Sequence, residues 1–457
     1  MRIVLDNCTL IDGAGSAPVE GARVVVEGQR IAEVGRTGHG ISAGAGIRVL
    51  DLSGKTVLPG FFDMHVHSTS HVLDEEPPPG ASPQVTEWLN DPDHLIYTRA
   101  IGNVQRALRA GVTSLRDCGG PRAITIWLRD AINQGLLEGP RMWVAGQPVT
   151  TTAGHLNFFG QVADTRDEVV KAVRRQVQVG ADFIKVCATG GAMTRGSNRA
   201  RAQYTAEELK ALVEDAHRLR RTVAAHTLCT EGMRNVVEAG CDTIEHCYWY
   251  GPEEREYPLD EGVARELVAK GLYVSPVIGA GDHAGYLASQ CPVTVSDDPH
   301  ETSRRGNDFY QVIRRSYGSF IRTKESELHF ANLRRIRELG AQFIVGSDAG
   351  AGMTRFQDMW LCIAVFVASL GFTIVEGVQA ATQTSAKALK VDKDLGTVEV
   401  GKLADLVVVR GNPVAEGVWC LREVDVVIKD GRIVLDQGIP VQAIRGHGPA
   451  DSVIRKA

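Results

Sequence analysis

Apolar and polar positions divide the 457-residue chain into two textures. At both ends the pattern has period two. Arg2-Ile-Val-Leu, Ala22-Arg-Val-Val-Val-Glu and Arg30-Ile-Ala-Glu-Val are short strand-like runs, separated by turns such as Asp12-Gly-Ala-Gly and Glu27-Gly-Gln. Asp405-Leu-Val-Val-Val, Val424-Asp-Val-Val-Ile and Arg432-Ile-Val-Leu repeat it near the other end, with Lys429-Asp-Gly-Arg as a hairpin turn. Neither end alone has enough strands to bury a face. Residues 1–59 and 392–457 are therefore predicted to meet in one small β-sandwich.

Between them, over residues 60–391, apolar runs alternate with helical periodicity. The eight strand candidates are the run containing His65 and His67 and those opening at Gly111, Arg141, Phe183, Thr222, Thr243, Tyr273 and Phe343. Helical spacing fills most gaps, as from Asp167 and from Ala206, the latter preceded by Thr205 with Glu208 three residues on, a capping-box spacing. Eight strand–helix units with apolar strands predict an α/β fold, a (β/α)8 TIM barrel. A doubly wound open sheet has the same local pattern, but no glycine-rich phosphate fingerprint follows the first strand. Residues from about 280 to 340 break the spacing and read as a helical insertion over the mouth of the site or as a surface elaboration.

Composition narrows the classes. The balance of 50 Lys+Arg against 55 Asp+Glu, a formal net charge of −5, argues against a general nucleic-acid binder. No cationic segment followed by a long apolar run opens the sequence, and no apolar stretch is long enough to cross a membrane. The most apolar run, Trp360 to Leu370, reads as a buried helix. Nine cysteines without a Cys-x-x-Cys fit buried thiols in a reducing compartment, which places the protein in the cytoplasm. A symmetric homo-oligomer is the base-rate expectation.

Candidate chemistry begins at His65 and His67, which in a strand project to the same face and can aim at one ion. A lone His-x-His is weak. The signal grows because other strand-like runs also end in ligand types: Lys185 on the fourth, His226 on the fifth, His246 on the sixth and Asp348 on the eighth. In a barrel these ends converge on the active site.

Lys55-Thr-Val-Leu-Pro-Gly-Phe-Phe-Asp-Met-His-Val-His, Gly180-Ala-Asp-Phe-Ile-Lys-Val-Cys, Ala224-Ala-His, Ile244-Glu-His, Gly346-Ser-Asp-Ala-Gly and Gly401-Lys-Leu-Ala-Asp-Leu-Val-Val carry a resemblance over nearly the full length. The chain resembles the metal-dependent amidohydrolase superfamily, in its imidazolonepropionase-like and Xaa-dipeptidase (prolidase-like) branch. The resemblance implies two divalent metal ions, with zinc favoured by the ligand types and manganese, cobalt or iron also compatible. His65, His67 and Asp348 would hold the more buried ion, His226 and His246 the other, and Lys185 would bridge them as a carbamate. An ammonium has no lone pair for a cation, whereas a carbamate offers two anionic oxygens. The reaction implied is hydrolysis of a C–N bond by a metal-bridging hydroxide, with Asp348 as general base and His155 hydrogen-bonded to the scissile carbonyl.

The small-molecule substrate is less constrained. Arg195, Arg199 and Arg201 follow the fourth strand and could clamp a carboxylate, or could be a solvated loop. Tyr248, Trp249 and Tyr250 could form an apolar wall or pack against a helix. Three functions compete: hydrolysis of an N-acyl amino acid or dipeptide, hydrolysis of a non-peptide aromatic amide, carbamate or urea, and a catalytically silent scaffold.

Overall fold

The computed structural model describes residues 2–38, 46–72, 83–253, 256–278, 324–352 and 354–441. Three sheets organise them: one of nine strands, one of seven and one of three.

The two terminal segments share the nine-stranded sheet. Its order places Leu406–Arg410 against Lys55–Pro59, antiparallel, and Lys55–Pro59 against Arg2–Leu10, parallel. Period-two alternation sorts its side chains. Leu406, Val408 and Val57 face a core shared with Ile3, Leu5, Val24 and Val26, while Val407, Val409 and Leu58 join the large core under the helices. The ends thus meet in a single continuous sheet. Lys55–Pro59, the last part of the predicted terminal segment 1–59, belongs to this sheet. Gly60 then turns the chain into Phe61–Val66, and a Cβ there would lie 2.0 Å from Thr113 Oγ1.

The remaining sheets give a TIM-barrel-like α/β fold. Phe61–Val66, Val112–Asp117 and Arg141–Val144 form the three-stranded parallel sheet. Ile184–Cys187, Val223–His226, Thr243–Glu245, Tyr273–Ser275 and Gln342–Phe343 follow one another in the other. Backbone bonds join the two: Asp182 N–H donates to Val144 O at 2.8 Å on one side and Met64 N–H to Val345 O at 2.9 Å on the other. Strands such as Ile184–Cys187 and Val223–His226 are buried at every position, which explains why apolar residues or cysteine fill all of them except Lys185 and His226.

Helices between the strands cover this core. Thr165 caps Arg166–Val179 and Thr205 caps Ala206–Arg218, each in a reciprocal box with the Glu three residues on. Met359–Leu370 is buried along most of its length. No described helix is long and apolar enough to cross a membrane. Of the expected insertion, 279–323 lie outside the described residues, and Lys324–Glu338 is a helix.

Candidate metal centre

His65 lies near the end of Phe61–Val66 and His67 just past it; both are buried. Asp348 follows the eighth strand. Its N–H donates to His65 O at 2.8 Å, and His67 N–H donates to Ala349 O at 2.8 Å, so the Asp348 loop is stitched to the first strand. Asp348 Oδ1 lies 3.6 Å from His65 Nε2 and 3.5 Å from His67 Nε2. These separations are long for hydrogen bonds. They match the roughly 3.4 Å between two ligand atoms set tetrahedrally about one zinc at ~2.1 Å each. Asp348 Oδ1 is also buried without a hydrogen-bond partner, as an atom awaiting a cation would be.

The other predicted ligands converge on the same point. Lys185 Nζ is 3.4 Å from His65 Nε2, and Lys185 is 2% exposed. The His246 ring lies 5.1 Å from that of His65 and 4.5 Å from that of His226. His155, after the third strand, packs its ring 4.5 Å from His226. Gly191 makes room for it, since a Cβ there would fall 2.5 Å from the His155 ring.

Hydrogen bonds choose the free nitrogens. His65 Nδ1 is 2.7 Å from Glu245 Oε2 and His67 Nδ1 is 2.8 Å from Gly119 O, so Nδ1–H donates in both and Nε2 keeps its lone pair. His226 Nε2 is 3.2 Å from Gly190 O, which leaves Nδ1 for an ion. Burial, reinforced by Lys185, holds His65 well below its ordinary value. Burial with the neighbouring imidazoles does the same for His226 and His246. His155 is pushed down to about 3, chiefly by burial and next by Lys185. Neutral imidazoles are the form a metal needs. Burial raises the Asp348 carboxyl to about 6. The donor set therefore fits divalent cations.

A family model described as the amidohydrolase family matches residues 56–434. The chain belongs to the amidohydrolase family. It is 30% identical to ochratoxinase of Aspergillus niger over 239 residues, 45% of this chain and 46% of that one. The match thus spans about half the length of that curated relative. A solved Xaa-Pro dipeptidase with bound methionine superposes with a TM-score of 0.77 at 28% identity, covering 95% of this chain and 99% of that one. A prolidase complexed with N-methylphosphonate-L-proline gives 0.76 at 25%, covering 96% and 100%.

Around these candidate ligands of an amidohydrolase stand residues that the motif reading did not single out. Arg116 reaches Glu245 Oε1, Thr243 Oγ1 (2.9 Å) and Met64 O, so a buried arginine orients the carboxylate that orients His65. Burial alone would raise the Glu245 carboxyl, yet Arg116 and Lys185 hold it below its ordinary value. Asp63 accepts from Ser347 N at 2.9 Å and Ser347 Oγ at 2.5 Å, fixing the residue before Asp348. Asp117 accepts from Gly119 N at 2.9 Å, which sets the carbonyl that holds His67. A carboxylate or arginine inside an apolar strand run signals a partner, and Arg116, Asp117 and Glu245 carried that signal. Backbone strain adds to the picture: His246 has φ +69° and Asp348 φ +58°.

The expected substrate-side residues fare differently. His155 adjoins the candidate ligand His226. Tyr248 stacks on Tyr250 at 5.3 Å and on the buried His329 at 3.7 Å. Trp249 is fully buried in the large core, so it is no wall of a cleft. Arg199 lies 4.8 Å over the Tyr250 ring, and Arg195 is exposed.

Proposed function

We propose that this chain is a binuclear metal-dependent hydrolase that cleaves an amide-type C–N bond of an N-acyl amino acid or dipeptide-like substrate. The carrying observation is the spacing of His65, His67 and Asp348 about one point, with the Asp348 oxygen left unpartnered. Likeness to the dipeptidase and the prolidase over nearly the whole of both chains supports the substrate class. His65, His67 and Asp348 would hold one ion and His226 and His246 the other, zinc being the metal that the imidazole-rich set favours. Lys185 would bridge as a carbamate. When bound, the ions supply Lewis acidity and lower the pKa of water.

The protein's own groups do the rest. Asp348 accepts a proton from the attacking water and returns it to the leaving nitrogen. His155 donates a ring N–H to the substrate carbonyl as charge builds on its oxygen. Arg116 and Glu245 keep the His65 ring in register. The shared terminal sheet supports dividing the chain into a composite domain, 1–59 with 392–457, and a barrel, 60–391. The described cysteines, all buried thiols, support a reducing, cytoplasmic setting, and we expect a homo-oligomer.

A second reading, hydrolysis of a non-peptide aromatic amide, carbamate or urea, is favoured by the stacked Tyr248–His329 pair and by the likeness to ochratoxinase. Assay of dipeptides and N-acyl amino acids against aryl carbamates and ureas separates the two. Turnover confined to the second group would overturn the dipeptide-like assignment. His155→Asn should lower turnover with metal content unchanged; loss of metal would make His155 a ligand instead.

A further inference from the structure

Two open clefts of similar size lie on the outer surface, and none of the proposed ligands lines either one. One, of about 620 Å³, runs between Arg166–Val179 and Ala206–Arg218. Its positive charge is answered from within: Arg174 pairs with Asp215 at 3.1 Å, and Arg218 pairs with the same carboxylate. The other, of about 690 Å³, is built differently.

Four guanidiniums line this second cleft. Arg106 and Arg109 come from the last turn of the helix Asp93–Arg109, Arg355 from the loop that follows Asp348, and Arg422 from the turn before Val424–Lys429. Asp358 is the one acidic residue among the described lining. Among the described residues, Arg106, Arg109 and Arg422 make no ion pair; Arg106 donates only to the neutral Asn103 Oδ1, at 3.0 Å. Two carboxylates beside the lining strands are engaged elsewhere, Asp425 by Lys55 and Arg410 and Asp436 by Arg48.

A helix C-terminus favours basic side chains and so accounts for Arg106 and Arg109. It does not account for Arg355 and Arg422, which three-dimensional folding brings from distant parts of the sequence. Nor does composition, since the chain carries a net charge of −5. Gathered like charges repel, and an anion shared among them offsets that cost. Guanidinium forks match the oxygens of phosphate and carboxylate bidentately. The volume falls within the range of small-molecule sites, roughly 300–1,000 Å³.

We propose that the cleft formed by Arg106, Arg109, Arg355 and Arg422 binds a small, multiply charged oxyanion, separate from the metal centre. The test is calorimetric titration of the full-length, metal-loaded protein with three probes in turn: inorganic phosphate, AMP and tricarballylate. At least one should bind saturably at low salt and more weakly as salt rises. The one that binds best tells whether free phosphate, a phosphate ester or a polycarboxylate is the source. Arg109→Gln and Arg422→Gln should each weaken it about tenfold, and the double variant further, with thermal unfolding and hydrolytic turnover unchanged. Arg174→Gln, in the self-paired cleft, should leave binding as it was. Absence of saturable binding by every probe would overturn the proposal. So would equal affinity in the parent and the double variant, which would put the anion elsewhere, the metal centre included.

Discussion

The terminal sheet and the C-terminal ends of the parallel strands are both buried, yet they are built by opposite rules. Inside the sheet the buried side chains are almost all Val, Ile and Leu. Its charges are paired, such as Asp6 with the buried Arg23 at 2.8 Å and the buried Asp425 with Lys55 at 2.7 Å. At the strand ends the buried side chains are His65, His67, His155, His226, Lys185 and Glu245. There an Asp348 oxygen has no hydrogen-bond partner among the described residues, and the candidate ligands His246 and Asp348 are themselves left-handed. A region that obeys packing and pairing rules contributes stability, and one that breaks them at a single point is held in place for chemistry. The difference predicts that substitutions in the two regions separate into losses of turnover and losses of stability.

The largest effect should come from Lys185→Ala. Activity should fall by orders of magnitude and metal content should drop, while cooperative unfolding is retained. A short-chain carboxylic acid with bicarbonate should restore part of the activity; full activity in the untreated variant would break the comparison at its centre. Next, Glu245→Gln removes the anion that fixes the His65 ring, and metal affinity should fall about 10- to 100-fold. Competition with a chelator measures it, and unchanged affinity would make the Arg116–Glu245–His65 chain purely structural.

The sheet should answer in the other currency. Leu406→Ala empties a fully buried position and should cost about 2–5 kcal/mol in chemical unfolding, with turnover per folded molecule unchanged. A change in turnover would show that the sheet reaches the site. The smallest effect is one of pH. Arg23 holds the Asp6 carboxyl below its ordinary value of 3.8. Burial pushes Asp425 up, but Lys55 and Arg410 outweigh it and lower the carboxyl from the same value. A carboxyl depressed in the folded state contributes stability that is complete above its unfolded pKa and is lost as pH falls through the folded one. Unfolding titrations should therefore show the pairs' contribution constant near neutrality and declining below about pH 4. Asp425→Asn should flatten that decline, and an unaltered profile would remove the pair from the account.

Much of this was legible in the sequence because the signal was local. Strand runs such as Ile184–Cys187 are apolar apart from the one lysine that stands out in them, and the Thr205–Glu208 box announces its helix. The ligand types stand at the strand ends, where chain order alone places them. What escaped depends on distant contacts. The antiparallel pairing of Lys55–Pro59 with Leu406–Arg410 is written in neither run alone. Arg116 and Glu245 are 129 positions apart, and no short motif relates them. Trp249 follows Tyr248 in sequence but packs into the large core, while Tyr248 joins a separate cluster with Tyr250 and Tyr257. His329 reaches Tyr248 only through the packing of its helix.

The most direct test of the central claim is elemental analysis of metal per chain in protein purified without chelator, on the parent and on Lys185→Ala side by side. The account predicts about two divalent ions per chain in the parent and a clear loss in the variant. Equal metal content in both, or a parent that holds none and gains no activity with added zinc or manganese, would contradict it.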